Sequence, residues 1–168
     1  MLRAAKLQAG VYEEVEADKT AFKQAMGVVV LSSIAAGIGT LSQGNIGGII
    51  AGTIAALMGW YIWAFFVYLI GTKLLPEPQT KADHGELLRT IGFASSPGLI
   101  RIIGIIPGLS GIVFTAASIW MLAAMIVAVR QALDYKSTFR AVGVCLIGWL
   151  VQALIFVMLF SMLGIPTK

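Results

Sequence analysis

The sequence predicts an all-α, polytopic membrane protein: a compact bundle of five transmembrane helices with the third kinked at Pro97. Three observations carry that expectation. Hydrophobic residues make up 58% of the 168 and charged residues 12%, about half the charge of an average soluble chain. Mean hydropathy is +0.90. Four long segments run for about 18 residues or more without a charge, the length needed to cross a ~30 Å hydrocarbon core. A fifth apolar segment, Leu87–Pro107, is broken near its middle by Pro97-Gly98 and carries Arg101 beyond the break.

In order, residues 1–21 are expected to form a cytoplasmic segment, partly helical. Val11, Val15 and Phe22 share a helical face with Tyr12 beside them, which fits an interfacial helix or a solvated one that continues into the first span. The spans are expected at about 22–41, 46–72, 87–106, 112–129 and 141–163, leaving 164–168 as a short external C-terminus. The second is 27 residues, roughly 40 Å long, so it should tilt or protrude. A polar link with Pro76 and Pro78 precedes the third span, a tight turn at Pro107–Gly111 succeeds it, and Arg130–Arg140 links the last two. The first 20 residues carry Glu13, Glu14, Glu16 and Asp18 and no apolar core, so no cleavable signal is expected.

Lysine and arginine set the orientation. With the N-terminus cytoplasmic, Arg3, Lys6, Lys19, Lys23, Lys73, Lys81, Arg89, Arg130, Lys136 and Arg140 lie inside, ten of the twelve. Only Lys168 lies outside, and Arg101 is in a span. This count obeys the positive-inside rule. It also favours a crossing third segment over a re-entrant one, which would turn the basic 130–140 link outward. The net charge of +4 therefore reflects topology, and no nucleic-acid partner is expected.

Several stretches carry a resemblance. They are Tyr12–Thr20 (YEEVEADKT), Gly59–Thr72 (GWYIWAFFVYLIGT), Gly85–Arg101 (GELLRTIGFASSPGLIR), Ile119-Trp120, Ala128–Tyr135 (AVRQALDY) and Arg140-Ala141. With them the chain resembles the bacterial branch of the Yip1 family, small five-span membrane proteins. The resemblance implies an all-helical five-span fold with a cytoplasmic N-terminus, in a bacterial cytoplasmic membrane. Eukaryotic relatives act in vesicle traffic with prenylated Rab GTPases. This chain lacks their long N-terminal region and their Asp-Leu-Tyr-Gly-Pro motif, so that role is not carried over.

The candidate site residues are these. Pro97 removes a hydrogen bond to the Phe93 carbonyl, and Ser95, Ser96 and Gly98 around it can re-satisfy freed carbonyls and admit a close helix. Arg101 is an intramembrane cation with no Asp or Glu in any expected span. It either snorkels or pairs with Ser95, Ser96, Gln152, a lipid phosphate or a partner's carboxylate. Trp63, Trp120 and Trp149 lie 10, 10 and 9 residues from Lys73, Arg130 and Arg140, roughly 14–15 Å from the cytoplasmic edge. They are expected to gather around the Gly-Pro notch, or else to face lipid or a partner. Gly48 and Gly52 form a GxxxG pair for close packing, in this chain or in a homo-oligomer. Arg89 and Arg130 belong to a basic inner rim that sets topology or attracts anionic headgroups. His84, in a charged link, is expected to be solvated.

One histidine and one buried cysteine cannot build a zinc site, and no phosphate loop or nucleophile elbow appears. No catalytic residue, metal or cofactor is expected. The function read from these residues is a non-enzymatic membrane scaffold or accessory protein. It would pack against membrane lipids and other integral membrane proteins, as an auxiliary subunit of a respiratory or photosynthetic complex in its most specific form. The alternatives are a small transporter or channel with a polar site at Pro97–Arg101, and a membrane-organising factor by analogy with eukaryotic relatives.

Overall fold

The computed structural model describes residues 1–40 and 46–162, which form seven α-helices and no strand. Four stretches are helical, long and apolar enough to cross a membrane: Lys19–Gly39, Gly47–Leu74, Ser110–Ala132 and Thr138–Ile155. The helices are α1 (Leu2–Ala5), α2 (Ala9–Ala17), α3 (Phe22–Gly39), α4 (Ile46–Leu69), α5 (His84–Ala94), α6 (Ser110–Ala132) and α7 (Thr138–Met162). The expected ends at Leu41 and over 163–168 lie outside the described residues. The long helix α4 continues through a π-helical turn, Ile70–Leu74.

The third segment corrects the expectation of a fifth long helix kinked at Pro97. It is two pieces. Helix α5 ends at Ala94, and a 3-10 helix runs from Ser96 to Ile105. The start of α5 is set by a capping box. Asp83 accepts from the Glu86 backbone N–H at 2.8 Å, and Glu86 accepts from the Asp83 N–H at 2.7 Å. Its end is set by the proline. In an α-helix Pro97 would have to donate to the Phe93 carbonyl, and it has no N–H. Ser96 Oγ donates to that carbonyl instead, at 2.6 Å. Pro97 then sits at the second position of the 3-10 helix, where its missing donor costs nothing.

Glycine contacts show how this segment runs. A Cβ on Gly92 would lie 2.7 Å from the Ala25 side chain, one on Gly98 2.0 Å from Ser32 Oγ, and one on Gly39 2.0 Å from the Arg101 carbonyl. Ala25, Ser32 and Gly39 are spaced by seven, one face of α3. The partners ascend in the same order, so segment and helix are parallel. Ala25 to Gly39 rises about 21 Å. The shorter Gly92–Gly104 stretch covers about the same height because a 3-10 helix rises ~2.0 Å per residue. Pro107–Leu109 then turns the chain into α6, with Gly108 at φ +83°, a conformation glycine adopts without strain.

The apolar face of the N-terminal segment is covered by the chain's own helices. Val11, Tyr12 and Val15 are buried, because α2 packs on α5 and α6. Beyond the end of α6, Tyr135 Oη donates to the Gly71 and Leu75 carbonyls at 3.0 and 2.7 Å, tying the α6–α7 turn to the π-helical turn. Burial pushes the Tyr135 hydroxyl up to about 12. Arg130 donates to the Tyr135 and Lys136 carbonyls in the same turn. Arg140 pairs with Glu77 at 3.3 Å. The Glu77 carboxyl is held below its ordinary range chiefly by the Lys136 backbone N–H.

Candidate functional site

Where α3, α4 and the 3-10 helix diverge from α7, they leave a cavity of about 560 Å³. Its polar lining is Ser32, Ser33, Thr40, Ser95, Gln152 and Arg101. Gly48 and Gly52 border it as well. Gly52 has nothing within 4 Å of where a Cβ would stand, so it makes no close helix contact there. Tight approaches are made by glycines elsewhere, among them Gly39, Gly92, Gly98 and Gly104 on the third segment's seam, Gly37 against Ile49 of α4, and Gly71 against Leu133.

Arg101 points across this cavity toward α6. One terminal nitrogen donates to Ser118 Oγ at 3.2 Å, and the guanidinium carbon lies 5.5 Å from the centre of the Phe114 ring, a cation–π distance. Its Nε is buried without a hydrogen-bond partner among the described residues. Of the partners the sequence names for it, Ser95 and Gln152 share its cavity. Its bond goes to Ser118, which sequence reasoning misses. Ser118 lies 17 residues away on a neighbouring helix, and no local signal marks it.

A second hollow of about 680 Å³ opens between α6 and α7. Its lining is mostly apolar, with Leu122, Ile126, Val142, Leu146 and Trp149, and it ends on Arg101 and Ser118. Arg101, Trp63, Met121 and Met125 line both hollows. They form the wall between a chamber with several polar side chains in a mostly apolar lining and a nearly wholly apolar groove.

The tryptophans do not gather at the notch. Gly98 is filled by Ser32 and by Met121, whose sulfur lies 3.0 Å from the built Cβ. Trp120 donates to the Ala5 carbonyl of α1 at 2.7 Å. Trp149 is 64% exposed at the rim of the groove. Trp63 alone stands at the wall between the hollows, with Nε1 buried and unpaired among the described residues. Spacing along the chain gives depth, but not the direction in which each ring leaves its helix. Trp60, which carries no distinguishing sequence signal, is buried, donates to the Leu88 carbonyl at 3.0 Å and stacks on Phe22.

His84 is half-buried, not fully solvated. It lies against Tyr61, Phe65 and Tyr68, with centroids 4.9, 5.8 and 6.4 Å away, and its Nε2 is buried. Arg89 turns inward from the expected rim. It is 6% exposed and donates from Nε to the Val15 carbonyl at 2.9 Å and from a terminal nitrogen to the Glu16 carbonyl. Gln131 adds a bond to Glu13 at 2.7 Å. The N-terminal segment is thus held by α5 and α6 at Glu13, Val15 and Glu16, in addition to the Trp120 bond to Ala5.

This dock is expected to respond to pH. The Glu16 carboxyl is raised from an ordinary 4.5 to about 7, first by burial, then by Asp134, Glu86 and Glu13, against the pull of Arg89. The docked segment therefore holds this proton more tightly than a free one. Docking is strongest below the ordinary value and weakens as pH rises through about 7. Hydrogen exchange over residues 9–17, corrected for intrinsic rates, is expected to show more protection near about pH 5.5 than near about pH 8. Glu16→Gln is expected to remove the difference; equal protection in the native chain would refute the assignment.

Compared with protein-family models, curated proteins and solved structures, the chain matches none.

Proposed function

We propose that this chain is a five-crossing, non-enzymatic scaffold of a bacterial cytoplasmic membrane, related to the Yip1 proteins it resembles, with its N-terminus inside and C-terminus outside. The observation that supports five crossings is the parallel run of the third segment beside α3. An 11-residue α-helix followed by a 10-residue 3-10 helix extends about 36 Å when roughly collinear, against a ~30 Å hydrocarbon core. The 3-10 winding gives length that the same residues in a broken α-helix would lack. An apolar exterior supports docking to lipids and to other membrane proteins: Ile50, Ile54, Met58, Ile112, Ile119 and Leu154 are each more than half exposed. An auxiliary place in a respiratory or photosynthetic complex is the most specific form of this reading.

Topology is the test. In a Cys145→Ala background, single cysteines at Gln79, Leu109 and Ser137 are labelled with a membrane-impermeant maleimide in sealed vesicles of either orientation. Positions 79 and 137 are expected to react from one side and position 109 from the other. If positions 79 and 109 react from one side and position 137 from the other, the third segment re-enters and the reading is wrong. Proteins that co-migrate in mild detergent, identified by mass spectrometry, test the accessory role; a chain that always migrates alone would remove it.

The polar chamber at Arg101 favours a second reading, a small transporter or channel selecting anions. Flux of an inorganic anion through proteoliposomes, abolished by Arg101→Gln, would establish it in place of the first.

A further inference from the structure

We infer that the junction of the two hollows at Arg101 is a binding site for an anionic phospholipid, with the phosphate in the polar chamber and an acyl chain in the α6–α7 groove. The inference rests on the membrane reading above and names a ligand class for it. Three features converge on one chemistry.

The first is charge. Arg101 is a cation within the apolar part of the bundle, and no carboxylate lines either hollow. Its contacts, a serine hydroxyl and a phenyl ring, leave the positive charge without a counter-ion. In a low-dielectric setting an uncompensated charge is costly, and an anion at hydrogen-bond distance offsets that cost.

The second is the pair of unused donors. Arg101 Nε and Trp63 Nε1 are both buried, both without a partner among the described residues, and their side chains line both hollows. Buried N–H groups are normally satisfied. These unsatisfied N–H groups beside the hollows add to the local demand for an acceptor, and Ser95 and Gln152 line the chamber together with Arg101.

The third is shape. Beside Arg101 the chamber carries five hydroxyl or amide side chains within a mostly apolar lining and the groove carries Ser118 alone, a gradient that suits an amphiphile. The apolar half opens sideways between two long helices, where Leu122, Leu146 and Trp149 are 56%, 58% and 64% exposed. A lipid reaches such an opening from within the bilayer. A free phosphate or short carboxylate would leave the groove unfilled, so the groove commits the site to a lipid.

The experiment uses the full chain in bilayers of phosphatidylcholine containing a small fraction of either brominated phosphatidylglycerol or brominated phosphatidylcholine. Bromine quenches tryptophan on contact, and Trp63 and Trp149 line the groove. The expected result is that phosphatidylglycerol is preferred by about fivefold, the worth of one cation acting on an anionic headgroup. Arg101→Gln should abolish the preference and Arg101→Lys should keep part of it. Equal quenching by the two lipids in the native chain overturns the proposal, and that comparison decides the matter even where Arg101→Gln does not fold. A preference unchanged in a folded Arg101→Gln protein also overturns it. So does displacement of the lipid by millimolar glycerol phosphate, which would mark an aqueous anion site. A chain that floats with the vesicles and passes the maleimide test, yet shows no preference, loses the lipid site and keeps the scaffold reading; a chain that does not insert loses both.

Discussion

Replacing Gly39 with alanine is expected to destabilise the bundle by about 3 kcal/mol, the upper end of ordinary overpacking costs. The new methyl group would stand 2.0 Å from the Arg101 carbonyl and 3.0 Å from the Phe114 ring. A side chain in the way can rotate aside, but a backbone carbonyl moves only if the 3-10 helix and α3 separate. The control is Gly52→Ala. Gly52 has open space where the methyl would go, and alanine favours the helix by roughly 0.5–1 kcal/mol over glycine. Equilibrium unfolding in detergent micelles, tracked by tryptophan emission, should separate the two variants by more than about 3 kcal/mol. If they unfold alike, the close parallel seam between α3 and the third segment does not exist, and the support for a fifth crossing goes with it.

Arg89→Gln is expected to release the N-terminal segment while leaving the bundle folded. Arg89 is nearly fully buried and serves two backbone carbonyls of α2, Val15 and Glu16. Hydrogen bonds from a charged donor contribute about 1.5–3 kcal/mol each, and glutamine is too short to make both. Residues 9–17 should lose protection from hydrogen exchange, and trypsin should cut more readily after Lys19. Trp120, whose N–H bonds the Ala5 carbonyl, should shift its emission as that contact opens. Undiminished protection over 9–17 would mean that burial of Val11, Tyr12 and Val15 alone holds the segment.

The two variants probe different layers of one structure. Gly39 sits on the seam that fixes the depth of Arg101. Arg89 sits where the first residues of the chain close over α5 and α6. Arg89 is remote from the donors proposed to hold a lipid, so its effect and that of Arg101→Gln are expected to add, whereas Gly39→Ala presses on the Arg101 backbone and on Phe114 and is expected to couple to it.

How much of the fold is legible from residue order depends on how far each signal reaches along the chain. Hydropathy places α3, α4, α6 and α7, because a run of apolar residues states its own solvent preference without reference to any neighbour. Pro97 marks the break by the same local logic, since the missing N–H belongs to the proline itself. Asp83 and Glu86 form the capping box that starts α5, and their three-residue spacing is a local signal as well. The winding beyond the proline has no such local signal. A ten-residue 3-10 helix is long for its kind, and it persists because Gly98 and Gly104 let it lie against Ser32 and Gly39 of a helix some 65 residues earlier.

The candidate site divides in the same way. Residue order alone places a cation among apolar residues, sets three tryptophans 9 or 10 residues from a basic residue, and flanks the proline with serines. Composition and axial rise are properties of single segments, and these facts need nothing more. Packing in three dimensions is what brings Arg101 to Ser118 and Phe114, turns Trp120 to the N-terminal helix, stands Trp63 at the wall of two hollows, and faces Arg89 inward. Each depends on how a helix is rotated about its axis against its neighbours. Helices α4, α6 and α7 are apolar nearly all round, so their own sequences carry little preference for one face, and contact between distant segments sets the rotation.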